Sequence, residues 1–477
     1  MLFNSIDFAF FLPIVFILYW FVTNKSLKLQ NLLIVVASYV FYGWWDWRFL
    51  SLILFSTIVD YSIGRLLSNQ ENEKKRKALL WISISVNLGF LGFFKYYNFF
   101  LENFITAFTF FGSEFNASSL NIVLPVGISF YTFQTLSYTI DVYKRKLEPT
   151  KDFIAFTAFV SFFPQLVAGP IERANNLLPQ FYKKREFSYP KAVDGMRQIL
   201  WGLFKKIVIA DNCAEYVNQI FNHSEDYLGS TLFLGAVFFA FQIYGDFSGY
   251  SDIAIGTSRL FGFNLMQNFA FPYFSRDIAE FWRRWHISLS TWFRDYLYIP
   301  LGGSRGPKWK QIRNVFIIFI VSGFWHGANW TFVVWGALNA IYFLPLLLLN
   351  QNRVNTNIVA EGKYLPTLKE LVQMGSTFFI TVLAWVFFRA ENINHAILYL
   401  KGMFTSTFFS SFELFPTKIL LIIGIFLTIE WLGRSKQFAI QTVDILPKIL
   451  RYSLYSAIIF SILVYSGKEQ AFIYFQF

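Results

Sequence analysis

Long apolar stretches recur along this chain, separated by short polar or charged segments. Most approach the roughly 20 residues that a helix needs to cross about 30 Å of hydrocarbon. The pattern therefore predicts an all-α polytopic membrane protein with about eleven transmembrane helices, folded as a single domain over residues 1–477. The predicted spans are 8–22, 29–42, 49–67, 78–94, 122–140, 199–217, 231–244, 315–349, 378–388, 419–431 and 452–465.

Two segments break this pattern. Residues 162–173 are apolar but contain Pro164, Gly169 and Pro170, which a regular helix does not accommodate. We expect a re-entrant loop there, because irregular backbone at membrane depth persists only inside protein or beside water. Residues 281–296 carry aromatic side chains on one helical face and polar side chains on another, which predicts a helix lying in the membrane interface.

Composition and charge support a membrane protein. The chain is 55% hydrophobic and only 15% charged, and its net charge of +12 comes from short basic clusters beside the spans, so we expect membrane lipids and no nucleic acid as partners. The first 24 residues lack Lys and Arg, whereas Lys25 follows the first span directly. Basic loops stay cytoplasmic, so the N-terminus and, after a final crossing, the C-terminus are predicted outside the cytoplasm. The first apolar segment should remain as an anchor because a basic region before it is missing.

His326 lies inside the apolar run 315–349, between Gly323 and Gly327. The glycines leave two interpretations of this run, either two spans or one span with a broken half-helix. An ionisable group in hydrocarbon needs a partner or a water-lined cavity, which makes His326 a candidate functional residue. The alternative is a core histidine hydrogen-bonded to a nearby carbonyl.

A histidine in an apolar site is biased towards its neutral form and can accept a proton, as a general base must. Neither a Gly-x-Ser-x-Gly elbow nor a His-Glu-x-x-His zinc pattern accompanies it. Cys213 is the only cysteine, so an intramolecular disulfide and a cysteine-based metal site are excluded. We therefore expect no metal. His286, on the predicted interfacial helix, is the second candidate, although interfacial helices carry polar tips routinely.

Three segments together resemble the signatures of the membrane-bound O-acyltransferases: Asp-Phe-Ser-Gly-Tyr-Ser-Asp at 246–252, Phe-Trp-Arg-Arg-Trp-His at 281–286 and Gly-Phe-Trp-His-Gly at 323–327. Within that family the chain is similar, nearly from end to end, to the branch that O-acetylates bacterial alginate. The resemblance implies a helical fold around a tunnel, in the inner membrane, with marker histidines at His286 and His326 and His326 catalytic. Asp246 and Asp252 could orient a histidine, or one of them could simply pair with Arg259.

The chain ends in Phe-Ile-Tyr-Phe-Gln-Phe, at 472–477. In related envelope acyltransferase systems a terminal aromatic motif with a tyrosine is proposed to receive the acyl group, and Tyr474 matches it. A tyrosine hydroxyl can form a covalent intermediate when a base is near. The alternative is a belt of aromatic side chains at the membrane interface.

The resemblance implies an O-acyltransferase that moves acetyl from a cytoplasmic thioester, either acetyl-CoA or an acyl carrier protein, towards hydroxyls of an extracytoplasmic, alginate-like polysaccharide. By analogy with the family, it also implies a separate extracytoplasmic acetyltransferase of the SGNH type as partner. Two alternatives remain. One is D-alanyl transfer from a carrier protein to teichoic acid, and the other is a transporter or flippase for glycan precursors, which would also show broken helices and polar residues near the bilayer centre.

Overall fold

The computed structural model describes residues 1–112, 117–167, 169–466 and 470–473. Throughout these ranges the regular structure is helical, and they contain no strand. Several helices begin at a short polar residue whose side chain accepts a hydrogen bond from a backbone N–H of the first turn, as helix N-termini require. These capping residues are Ser5, Ser26, Asn72, Asp152, Asp277, Asn329, Thr367 and Asn392.

The chain packs as two compact units. The first comprises Met1–Ala192 with Thr257–Leu265, and the second comprises Val193–Gly256 with Met266–Phe477. The helices that lie wholly in the first unit are α1 (Ile6–Ile17), α2 (Leu27–Asp46), α3 (Leu50–Ser68), α4 (Glu73–Leu91), α5 (Tyr97–Phe110), α6 (Ile128–Tyr143), α7 (Phe153–Ser161), α8 (Phe163–Leu166) and α9 (Ala174–Leu177).

Two helices contribute residues to both units, α10 (Tyr189–Leu203) and α12 (Gly229–Leu260). The helices of the second unit alone are α11 (Asp211–Asn222), α13 (Ile278–Arg284), α14 (Ile287–Phe293), α15 (Lys308–His326), α16 (Trp330–Leu348), α17 (Leu368–Arg389), α18 (Ile393–Met403), α19 (Thr417–Gly433) and α20 (Lys448–Val464).

The chain is an all-α polytopic membrane protein, as the apolar pattern predicts. By length and composition, five helical stretches among the described residues could cross a membrane: 27–68, 73–110, 229–260, 330–348 and 368–389. Shorter apolar helices cover 6–22 and 153–166. The total of eleven spans and the single domain stay predictions.

A buried polar cluster joins three helices of the first unit. Asp60 of α3 accepts hydrogen bonds from Ser83 Oγ at 2.5 Å and Asn87 Nδ2 at 2.8 Å, both on α4, and from Thr139 Oγ1 of α6 at 3.1 Å. Side-chain hydrogen bonds of this kind hold membrane helices together where apolar burial alone gives little preference for one packing. This cluster therefore fixes the arrangement of α3, α4 and α6.

The irregular backbone expected at 162–173 is present. Between α7 and α9 the described residues form only the single turn α8, and Phe162, Ile171 and Glu172 are all buried. The prolines prevent a continuous helix, and burial in protein makes the irregular backbone tolerable. Its re-entrant relation to a membrane remains a prediction.

The run 315–349 forms two helices, and of these only α16 is among the described stretches long and apolar enough to cross a membrane, so the choice between two spans and one span with a half-helix stays a prediction. α15 ends at His326, the extended residue Gly327 follows, and α16 begins at Trp330 with Asn329 as its cap. Gly323 and Gly336, in contrast, lie within regular helix. The glycines therefore have two different functions. Gly327 interrupts the helix, whereas Gly323 and Gly336 allow α15 and α16 to pack closely.

Candidate active site

The hairpin of α15 and α16 depends on two glycines. A Cβ at Gly323 would lie 2.2 Å from the carbonyl oxygen of Phe332, and one at Gly336 would lie 2.3 Å from that of Phe319. Both distances are far below van der Waals contact, so any side chain would force the helices apart. Small residues at helix crossings allow this close backbone approach in membranes. The close crossing fixes the end of α15, where His326 sits.

His326 is buried in an aromatic environment, with 3% of its surface exposed. Its ring centroid lies 4.9 Å from that of Trp325, 5.2 Å from that of Trp335 and 5.3 Å from that of Phe388. The contacts to Trp335 on α16 and Phe388 on α17 hold the imidazole between rigid rings. Because α15 stops at this residue, the backbone beyond it is extended and turns away from the helix.

His286 occupies a break in the segment that the sequence predicts as one interfacial helix. α13 ends at Arg284, α14 starts at Ile287, and His286 between them has the left-handed conformation, with φ of +43°. The prediction of a continuous helix over 281–296 is therefore wrong. A left-handed conformation is uncommon outside glycine and clusters at functional sites, where the surrounding structure must stabilise it.

Asn268 provides that stabilisation. Its backbone carbonyl accepts from Ile287 N at 2.9 Å, and its side-chain Oδ1 accepts from Ser288 Oγ at 2.8 Å. The neighbouring Ala270 N donates to the carbonyl of Arg284 at 2.9 Å. The loop around Asn268 thus binds both sides of the break and replaces the helical hydrogen bonds that the break removes.

The same asparagine selects the tautomer of His286. The backbone N–H of Ser288 donates to Asn268 Oδ1 at 3.3 Å, which identifies this atom as the amide oxygen, and the same Oδ1 faces His286 Nδ1 at 3.1 Å, while Nδ2 donates to Ser251 Oγ at 3.0 Å. Since Oδ1 can only accept, the imidazole must carry its proton on Nδ1. Nε2 is then the lone-pair nitrogen, and it is buried with no hydrogen-bond partner among the described residues. Burial lowers the pKa of His286 to about 3, so the ring is neutral at physiological pH.

The two histidines lie together, with ring centroids 6.5 Å apart. The aromatic face of the predicted interfacial helix is also buried inside protein, because Phe281, Trp285, Leu289 and Trp292 are each less than a tenth exposed. Two buried imidazoles in an aromatic interior can accept and return a proton, which is the chemistry of a general base. Across the described part of the chain, no group of three or more His, Cys, Asp or Glu side chains could hold a metal ion.

The arginines of the 281–286 segment serve the structure around this break. Arg284 pairs with Glu280 at 2.8 Å, and Arg283 donates to the carbonyls of Asn352 and Asn355 at 2.9 and 2.6 Å. The Arg283 bonds connect α13 to the loop between α16 and α17, whereas the Arg284–Glu280 pair lies within α13. Both arginines therefore stabilise α13, which ends two residues before His286.

Asp246 and Asp252 on α12 pair with lysines. Asp252 lies 2.6 Å from Lys205 Nζ, and Asp246 lies 2.8 Å from Lys206 Nζ. The pairing with Arg259 suggested by the sequence is therefore wrong for these two carboxylates, since the lysines occupy them. Both lysines lie in the turn Phe204–Ala210, which follows α10. Because this turn is far from Asp246 and Asp252 in the sequence, the sequence alone does not indicate these ion pairs.

Asp246 also binds the C-terminal tail. Its Oδ2 accepts from the backbone N–H of Ile473 at 2.6 Å, and Lys206 Nζ donates to the carbonyl of Gln470 at 3.0 Å. Phe472 is fully buried, with its ring 4.3 Å from that of Tyr250 and 6.2 Å from that of Phe247.

The ring of Phe247 lies 4.6 Å from that of His286, so the tail is packed two aromatic contacts away from a site histidine. Tyr474 itself lies outside the described residues.

The sequence pattern points to both histidines but not to Asn268. This residue stands in a loop, in no recognisable motif, 18 positions before the histidine that it orients. An asparagine in a loop is usually a turn residue, so only the folded chain shows its role.

Comparison with known proteins gives consistent matches. A model of the membrane-bound O-acyltransferase family matches residues 145–383. The chain is 41% identical over 408 residues to the "probable alginate O-acetylase" of Pseudomonas aeruginosa, covering 85% of this chain and 75% of that protein. It is 37% identical over 435 residues to the peptidoglycan O-acetyltransferase of Helicobacter pylori, covering 84% and 80%. The teichoic acid D-alanyltransferase of Bacillus subtilis is 28% identical over 233 residues, covering 46% and 58%.

Proposed function

Because the chain belongs to the membrane-bound O-acyltransferase family, we propose that it transfers an acetyl group from a cytoplasmic thioester to hydroxyls of an extracytoplasmic, alginate-like polysaccharide. Family membership makes it an acyltransferase, which excludes the transporter alternative as its primary role. Acetyl is favoured over D-alanyl because the O-acetylating relatives are more similar, and over a much larger part of the chain, than the D-alanyl-transferring one.

The observation that carries the proposal is the buried pair of histidines 6.5 Å apart in the second unit. We assign the role of general base to His326. It takes the proton from the attacking hydroxyl as the oxygen forms a bond to the thioester carbonyl, and it returns that proton to the departing thiolate sulfur. General-base assistance of this kind contributes roughly 10²–10⁴-fold to a rate.

We assign an orienting role to His286. Its Nδ1–H is held by Asn268, so Nε2 can only accept a hydrogen bond. A neutral imidazole with a fixed lone pair can accept a hydrogen bond from another donor group of the bound reactants and so align the attacking hydroxyl, whose single proton passes to His326. Fixing the geometry of reacting groups before the chemical step lowers the barrier without further reorganisation.

The donor is proposed to be acetyl-CoA or the thioester of an acyl carrier protein. The basic clusters of the sequence support a negatively charged donor on the cytoplasmic side. The same asymmetry supports a location in the inner membrane with both termini outside the cytoplasm. The acceptor is a polymer, so an extracytoplasmic SGNH-type acetyltransferase is proposed to complete the transfer.

Tyr474 is proposed as the residue that receives the acyl group at the outer side. The docking of residues 470–473 against Asp246, Lys206 and Tyr250 supports this role, because it holds the residues that directly precede Tyr474 in the sequence. Acyl transfer to a tyrosine hydroxyl requires a base nearby, and the buried tail packs against Phe247, which contacts His286.

Mass spectrometry of envelope polysaccharides, with and without the protein, tests the function. We expect O-acetyl esters on an exported polysaccharide that disappear when the gene is deleted and return with the wild-type chain. Loss of ester-linked D-alanine instead would identify the alternative reaction. An unchanged polysaccharide in the deletion strain would contradict an acyltransferase with an envelope acceptor.

A further inference from the structure

A cationic pocket lies in the first unit, whereas His286 and His326 both belong to the second unit. It encloses about 340 Å³ and is lined by Lys183, Lys184, Arg185, Lys191 and Arg259, with Glu186 as the only carboxylate. Five positive side chains against one negative side chain give the pocket a surplus of positive charge. Such concentrations of basic residues at a membrane protein's edge attract anionic groups.

The cations of this pocket are of two kinds. Lys183, Lys184 and Lys191 are exposed and make no ion pair within the described ranges of the chain. Arg185 is buried, donates to Asn31 Oδ1 at 2.7 Å, and lies 4.9 Å above the ring of Phe263. One guanidinium that is already held in place and three flexible ammonium groups can bind the oxygens of a phosphate together. The loss of side-chain entropy is then smaller than if all four side chains had to be ordered on binding.

A second groove, with one aromatic wall, adjoins the cationic pocket. It encloses about 510 Å³, and its aromatic wall is formed by Phe16, Trp20, Phe21 and Phe187, while its other lining residues are Asn24, Lys25, Lys184, Arg185 and Glu186. The two spaces are neighbours, because Trp20, Lys184, Arg185, Glu186 and Phe187 line both of them. The groove runs along the helical turn Leu18–Val22, which follows α1 and in which Phe21 is 74% exposed. In a membrane protein, an apolar helix with exposed phenylalanines faces acyl chains rather than water.

A charged pocket that adjoins a groove with an aromatic wall matches one class of ligand closely. We propose that this site binds an anionic phospholipid, with the phosphate headgroup among the lysines and an acyl chain along the groove. A soluble phosphate compound would use the lysines but would leave the groove empty. A zwitterionic lipid would fill the groove but would gain little from the surplus of positive charge.

The site uses residues of the first unit alone, so the proposal does not depend on the acyl-transfer reaction. The test measures lipid retained by the purified full-length protein, by native mass spectrometry after exchange into mixed phosphatidylglycerol and phosphatidylcholine. The test variant replaces the three exposed lysines of the pocket, as Lys183→Gln, Lys184→Gln and Lys191→Gln together. Exposed side chains can be exchanged in this way with little effect on folding.

A matched control removes the same charge elsewhere in the same unit, as Lys74→Gln, Lys75→Gln and Lys77→Gln together, at the exposed start of α4. We expect the wild type and this control to retain phosphatidylglycerol in preference to phosphatidylcholine. The pocket variant should lose that preference by roughly 10- to 100-fold, because each lysine near the headgroup contributes. Equal losses in both triple variants, or no preference in the wild type, would overturn the proposal.

A second arm separates lipid from soluble phosphate. The variant Phe187→Ser should weaken retention of long-chain phosphatidylglycerol more than that of a short-chain form, because it removes apolar surface from the groove. Millimolar pyrophosphate should displace the lipid only weakly. If pyrophosphate binds the pocket tightly in the wild type and phosphatidylglycerol does not, the site serves a soluble ligand and the lipid proposal is wrong.

Discussion

Replacing Asn268 with alanine should damage catalysis through His286 without touching either histidine. Four hydrogen bonds involve the side chain of this asparagine, with His286 Nδ1 at 3.1 Å, Ser288 N at 3.3 Å, Ser288 Oγ at 2.8 Å and Ser251 Oγ at 3.0 Å. All of these groups are buried, and a buried donor left without its partner costs about 1–3 kcal/mol. The imidazole of His286 would then be free to move its proton to Nε2.

The expected loss of activity follows from the loss of one hydrogen bond that orients His286. If this loss weakens transition-state stabilisation by about 1–3 kcal/mol, kcat/KM should fall by roughly 5- to 150-fold. The assay is acetyl transfer by protein reconstituted in lipid, with thermal unfolding recorded on the same samples. Asn314→Ala is the matched control, since Asn314 is a fully buried asparagine of α15 that donates to the carbonyl of Gly303 at 3.0 Å.

Asn268→Asp sharpens the test. The carboxylate keeps an acceptor opposite Nδ1, so the tautomer survives and activity should exceed that of Asn268→Ala. A neighbouring negative charge also raises the pKa of His286 from its burial-lowered value of about 3. Protonation removes the lone pair, so the acid limb of the pH–rate profile should move to higher pH. Full activity of Asn268→Ala, with Asn268→Asp showing an unshifted profile, would refute the orienting role of this residue.

The remaining predictions concern the hairpin and the tail. Gly336→Ala should lower the midpoint of thermal unfolding and reduce activity, because its Cβ would lie 2.3 Å from the carbonyl oxygen of Phe319, at a cost of roughly 1–3 kcal/mol. Gly375→Ala is its control and should be neutral, since nothing lies within 4 Å of its Cβ. Asp246→Asn should speed amide exchange at 470–473, and unchanged exchange would mean that the carboxylate does not hold the tail. Tyr474→Phe keeps an aromatic side chain but removes the nucleophile, so normal envelope acetylation in that variant would end the relay proposal.

The apolar pattern predicted the fold class because a membrane constrains the chain so strongly. Each crossing must satisfy its own backbone hydrogen bonds, so long apolar runs become helices whatever their tertiary neighbours. The run 315–349 shows what an apolar pattern does not predict, namely where a helix is interrupted and where two helices pack closely. Gly323, Gly327 and Gly336 look alike in the sequence, yet only Gly327 breaks the helix, while the other two bring α15 and α16 close together.

The interfacial-helix prediction failed for a related reason. Helical periodicity over 281–296 is real, but the left-handed residue His286 and its hydrogen-bonded neighbour Asn268 interrupt the helix. That contact joins residues 18 positions apart through a loop, and periodicity carries no information about it. The partners of Asp246 and Asp252 were hidden similarly, because any nearby cation could satisfy a carboxylate and only the fold selects Lys206 and Lys205.

The central claim is that the imidazole of His326 performs the base chemistry of acyl transfer. The most direct measurement is the O-acetyl ester content of the exported polysaccharide in a deletion strain that carries His326→Ala, with equal membrane insertion confirmed by immunoblot. His395→Ala, a partly exposed histidine on α18, is the control. We predict that His326→Ala lowers the transfer rate by roughly 10²–10⁴-fold and leaves the polysaccharide without detectable ester, while the control stays normal. Ester content equal to that of the wild type in the His326→Ala strain would contradict the account.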